Sequence, residues 1–170
     1  MGAEAMADKA AETVGSVARV RAALLAASHP DTIMPAPAGA RTAAEAAAAV
    51  GCSVAQIVKS LIFRLGEKPL LVLVSGANRV DPARLAALFP GHEIGRADAA
   101  FVRAATGFAI GGVAPLGHLT RPETVIDADL MALDPLWAAA GAPDQVFRTS
   151  AATLARLTGG RVAELRAEAL

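Results

Sequence analysis

The sequence has a single cysteine, Cys52, no tyrosine and only 4% aromatic residues. One thiol excludes an internal disulfide framework. Three scattered histidines, His29, His92 and His118, cannot assemble a closed metal-ligand cluster with zinc-type spacing, so no metal and no cofactor is expected. An excess of either charge is also missing. Sixteen Lys and Arg balance sixteen Asp and Glu, so no global basic field drives non-specific nucleic-acid binding and any RNA contact must be local. Nowhere do eighteen residues run apolar without a charge or a cluster of breakers, and the N-terminal MGAEAMADKAAETV has acidic residues but no apolar signal core. These absences predict a soluble cytoplasmic protein with no membrane partner. Motifs for several chemistries are absent too: there is no G-x-S-x-G elbow, no G-x-G-x-x-G fingerprint and no P-loop Gly-Lys-Ser/Thr.

What is present suits one packed core. With 54% hydrophobic residues in 170, a single domain over residues 9–170 is expected behind a flexible tail of residues 1–8. Val14, Val17, Val20, Leu24 and Leu25 fall at helical spacing and predict an amphipathic first helix to about Ala27. His29-Pro30 and the cluster Pro35, Pro37 and Gly39 predict a loop. Capping-box patterns at Thr42 to Glu45 and Ser53 to Gln56 predict a short helix stopped by Gly51, then a single turn leading into a strand. The runs VKSLIF and LLVLVS, separated by the turn GEKP, predict a hairpin. Asp81-Pro82 opens a helix through Phe89, and a strand near residues 93–95 leads to a helix from Asp98 to about Ala105. Strands are expected near residues 124–126, 136–139 and 145–148, then a helix capped by Ser150 and a last strand over residues 161–165. This alternation predicts an α/β domain with a mixed, mostly antiparallel, barrel-like sheet flanked by helices.

Two places invite a chemical reading. Lys59 interrupts an apolar strand whose alternation puts Ile57, Lys59, Leu61 and Phe63 on one face and Val58, Ser60 and Ile62 on the other. A buried ammonium costs several kcal/mol, so either its stem packs while its head reaches solvent, or the cation sits at the mouth of a pocket. The second place is TGFAIGGVAPLG, residues 106–117, whose four glycines predict a structured loop able to turn backbone N–H groups toward an anion or a carbonyl oxygen, or simply a tight turn. Asp81 and Asp127 stand at strand ends, where capping is the usual role. Cys52 beside Gly51 reads as a small filler, and the three histidines as surface residues.

Taken in order, VAQIVKSLIF, LLVLVSGANRVD, TGFAIGGVAPLG and TVID resemble the YbaK/ProX family of aminoacyl-tRNA editing proteins, over about residues 42–165. The resemblance implies hydrolysis of the ester linking a wrong amino acid to tRNA. It implies that Lys59 is the functional lysine and that Gly111, Gly112, Val113, Ala114 and Pro115 form the substrate loop. Asn78 and Asp81 fall in a recurrent family segment, and Asn78, Phe108 and Asp127 are expected beside the substrate. Some relatives carry a polar side chain just before the glycine corresponding to Gly141. Here that residue is Ala140, which leaves the selected amino acid open.

On this reading the partner is the acceptor end of an aminoacyl-tRNA, compatible with an aminoacyl-tRNA synthetase as a second partner; DNA is not implied. An aminoacyl ester is already activated, so orienting water and stabilising the oxyanion can suffice without a protein nucleophile. A pocket lined by residues such as Ile57, Leu61 and Phe108 would admit alanine, serine, cysteine, threonine or 2-aminobutyrate. The competing expectations are a non-catalytic aminoacyl-tRNA or synthetase-binding module with the same fold, and a small-molecule binder unrelated to tRNA.

Overall fold

The computed structural model describes residues 2–37, 40 and 42–168; Gly39, counted above in the proline-rich loop, lies outside them. Helix α1 spans Gly2–Ala26. Its helical geometry begins where a tail to residue 8 was expected, because this stretch is alanine-rich and alanine has the highest helix propensity. Residues 2–8 are exposed, whereas Ser16, Val20 and Leu24 are buried, so the helix packs on the domain through its second half. Among the described residues no helix is long and apolar enough to cross a membrane.

Strand β1, Met34–Pro35, is a two-residue edge that the proline content masked in the sequence. Helix α2, Ala43–Val50, is capped by Thr42, which accepts from the Glu45 amide, and ends at Gly51 in the left-handed region with φ of 76°. A single 3₁₀ turn, Val54–Gln56, then feeds the central hairpin of β2, Ile57–Leu65, and β3, Lys68–Ser75. Helix α3, Pro82–Ala87, is capped by Asp81; β4 is Ile94–Arg96 and α4 is Ala99–Thr106, capped by Asp98. Strands β5, Glu123–Asp127, β6, Leu136–Ala139, and β7, Gln145–Thr149, follow, then α5, Ala151–Thr158, and β8, Arg161–Ala163.

The sheet order is β1-β7-β6-β2-β3-β5-β8, with β4 also paired to β2. It is mixed: β2 runs antiparallel to β3 and β4 but parallel to β6, and β3 and β8 both run parallel to β5. One consequence positions the site. β6 pairs with β2 only at Ile57 and Val58, and β4 only from Phe63 to Leu65, so among the described residues no strand covers the edge of β2 between them.

Each face of the hairpin has its own core. Val58 and Ile62 pack with Val113, Ala114, Phe108 and Phe147, while Leu61 and Phe63 pack with Leu70, Val72, Leu85, Val125 and Leu165. Burial on both faces explains why neither run reads as half-polar. Lys59, between Ile57 and Leu61 on the same side, therefore belongs to the second face.

Candidate functional site

Lys59 is half-buried, and its Nζ donates to the Asn78 carbonyl at 2.6 Å. Its pKa is pushed below the ordinary lysine value, first by burial and then by the neighbouring Arg79 charge, against an opposing pull from Asp127. Asn78 Nδ2 in turn donates to Asp127 Oδ2 and Asp129 Oδ2, each at 2.8 Å. A chain of contacts thus runs from the β3–α3 turn to the end of β5.

Two of the expected site residues are buried. Asp127 is only 1% exposed and caps the 3₁₀ turn Ala128–Ala132 by accepting from the Asp129 amide, so it orients Asn78 rather than facing a cavity. Phe108, expected in the pocket lining, is 1% exposed in the core and meets the His118 ring edge-on at 5.3 Å. It supports the glycine loop from behind. Ile57 and Leu61 do line a cavity.

Two cavities meet at Lys59. The smaller, about 350 Å³, opens in the uncovered stretch of β2 and is bounded by Ile57, Lys59, Ser60 and Leu61, by Ile110, Gly111 and Val113 of the loop, and by Trp137 of β6. The larger, about 660 Å³, lies on the other side, bounded by Lys59, Leu61, Phe63, Val80, Leu85 and Ile94, with Arg79 and Arg96 among its walls. Neither arginine has an ion-pair partner among the described residues. Lys59 and Leu61 are common to both cavities.

The loop is built tightly. Gly111 has φ of 94°, which favours glycine, and a Cβ on Gly112 would lie 2.9 Å from the Ala142 Cα. The Gly112 amide, a natural choice for an open donor, instead donates to the Ala109 carbonyl at 3.0 Å. The amides of Gly111 and Val113 donate to no described residue, and both residues line the smaller cavity. Ala114 and Pro115 are buried behind the loop.

Sequence reasoning overlooked Ser60. Its hydroxyl is buried without a hydrogen-bond partner among the described residues, and the residue lines the smaller cavity. An unsatisfied buried hydroxyl is uncommon, and the signal was present in the alternation that sets a serine between Val58 and Ile62. Ala140 is fully buried, so the position that is polar in some relatives presents only a methyl to the core.

The histidines divide. His92 is exposed, as expected. His29, read as a surface residue, is 5% exposed, with Nε2 3.1 Å from Thr149 Oγ1. His118, also expected at the surface, has its Nε2 2.6 Å from the Ala114 carbonyl and its Nδ1 buried without a partner among the described residues. Burial by the surrounding apolar groups outweighs the Ala114 hydrogen bond, and with the Arg19 charge it pushes the His118 pKa below its ordinary 6.5. The unfolded chain therefore binds a proton there more readily than the folded one. The associated stability is complete above about pH 6.5 and is lost as pH falls below it toward the depressed folded value. The melting temperature should accordingly drop between about pH 7 and about pH 5 by more in the wild type than in His118→Gln. Equal drops in a fluorescence melt would remove His118 as the cause.

Residues 37–157 match a family model described as aminoacyl-tRNA editing domain. A solved structure described as a putative trans-editing enzyme for prolyl tRNA synthetase superposes with a TM-score of 0.85 at 43% identity, covering 90% of this chain and 98% of that one. An uncharacterized protein of Bacillus subtilis (strain 168), YwhH, is 28% identical over 122 residues, 71% of this chain and 77% of its own. A proline–tRNA ligase of Desulfovibrio desulfuricans is 35% identical over 78 residues, which is 46% of this chain and 14% of that enzyme.

Proposed function

Because this chain belongs to the aminoacyl-tRNA editing domain family, we propose that it is a cytoplasmic trans-editing deacylase, hydrolysing the ester of tRNA mischarged with a small amino acid. The observation that carries the reading is the placement of Lys59: a desolvated lysine at the junction of two cavities, one of them walled by a glycine loop with two unengaged amides.

The aminoacyl group occupies the smaller cavity. A volume of about 350 Å³ between Ile57, Leu61, Val113 and Trp137 suits a small side chain, and the Ser60 hydroxyl gains its missing partner from a polar atom of the substrate. The terminal nucleoside lies in the larger apolar cavity, where Arg79 and Arg96 meet the backbone phosphates. The ester then falls between the two cavities, at Lys59. Water attacks its carbonyl carbon, charge develops on the carbonyl oxygen, and the Gly111 and Val113 amides stabilise it in a site where donors need no reorganisation. Lys59 polarises the ester end. The attacking water gives up a proton, which passes through the neighbouring hydroxyl of the same ribose to the ester oxygen as its bond to the carbonyl carbon breaks, releasing the free amino acid and the ribose hydroxyl, so the protein needs neither nucleophile nor metal.

Discrimination by one methylene is worth only about 1 to 3 kcal/mol, so a second, hydrolytic sieve has a use. A second reading rests on the Lys59 to Asn78 contact: an ammonium already engaged by a carbonyl suits a static anchor in a module that binds aminoacyl-tRNA or a synthetase without hydrolysing it. Incubating the protein with tRNAs carrying alanine, serine, cysteine, threonine or 2-aminobutyrate separates the two. Multiple turnover on at least one ester is expected. Survival of every ester at stoichiometric protein, with binding retained, would establish the anchor instead.

A further inference from the structure

The substrate loop is fastened by a side chain that lies outside the family-matched residues. Arg19, on the packed half of α1, donates from Nε to the Gly117 carbonyl at 2.7 Å and from Nη2 to the Thr106 carbonyl at 3.3 Å. These carbonyls stand at the two ends of the glycine-rich segment 106–117. The same guanidinium lies 4.7 Å over the Phe108 ring, and Ser16, one helical turn earlier, donates to the Gly107 carbonyl at 3.3 Å. Contact continues inward, since the Phe108 ring meets His118, whose Nε2 reaches the Ala114 carbonyl. α1 approaches so closely that a Cβ on Gly117 would lie 3.4 Å from the Val20 Cα.

We propose that Arg19 is a positioning residue for the substrate loop: it ties both ends of residues 106–117 together and thereby fixes where the Gly111 and Val113 amides point. Only a planar, forked cation can donate to two carbonyls in fixed directions while stacking on a ring; a lysine supplies one compact charge and lacks the fork. Closing the segment at both ends removes conformational freedom that the loop would otherwise lose when substrate binds. The inference rests on the deacylase reading for its catalytic consequence but not for its structural one.

Amide hydrogen exchange and deacylation kinetics of Arg19→Met, Arg19→Lys and the control Arg21→Met test it. Arg21 shares the helix but pairs with the exposed Asp31, away from the loop. In Arg19→Met, exchange over residues 106–117 should rise at least about tenfold, the scale of one lost charge-assisted hydrogen bond, with β3 unchanged. In the same variant kcat should fall by a similar factor at nearly constant KM. Arg19→Lys should fall between, and Arg21→Met should match the wild type. If Arg19→Met melts as a whole, the comparison is read from Arg19→Lys. Loop exchange unaltered in the folded Arg19 variants overturns the proposal, as does a loosened loop with kcat intact. A wild type without turnover sinks the deacylase reading alone, and loop exchange still decides the clasp.

Discussion

Lys59→Ala is expected to lose about a hundred- to a thousandfold in single-turnover deacylation, the roughly 2.7 to 4 kcal/mol that one preorganised donor supplies to a developing negative charge. Stability should change little or rise. The ammonium is held below its ordinary pKa by desolvation and by Arg79, so folding already works against the charge that the mutation removes. The Asn78 carbonyl belongs to a half-buried residue, and water can replace the lost donor. Activity and melting temperature should therefore move independently, which a folding defect could not reproduce. Lys59→Arg keeps the charge but enlarges the head, and should retain binding while losing most of the rate. A Lys59→Ala protein that hydrolyses within threefold of wild type would end the assignment of Lys59 to the reaction.

Gly112→Ala should have the next largest effect. A methyl there would sit 2.9 Å from the Ala142 Cα and 3.1 Å from its C and N atoms. All three are backbone atoms and cannot swing aside as a side chain end can. Overpacking of this kind costs about 1 to 3 kcal/mol, and the strain falls on the one residue between the two unengaged amides. Deacylation measured well below the melting temperature should fall by more than tenfold, since small misplacement of catalytic donors is costly. The result that contradicts this is a variant less stable by the stated amount yet as fast as wild type.

The order and type of most elements were legible in the sequence because they rest on local chemistry. Asp81-Pro82, Asp98 and Ser150 were read as helix starts and cap α3, α4 and α5, since a short side-chain oxygen answers a free helical amide wherever the chain goes next. The glycine loop was legible for the same reason, and so was the oddity of a lysine among Ile57, Leu61 and Phe63. What no local pattern could supply was which groups meet. Phe108 and His118 look like loop residues until α1 covers them; the three-way contact with Arg19 spans residues about ninety positions apart.

The same division holds at the site. Local pattern is enough to place a cation in an apolar strand and a glycine-rich turn after α4. Long-range packing is what leaves the edge of β2 between β6 and β4 open, engages the Gly112 amide with Ala109, and brings Asp127 to Asn78. The physical reason is that propensity and alternation act over a few residues, whereas burial and hydrogen-bond satisfaction are settled only when distant segments pack.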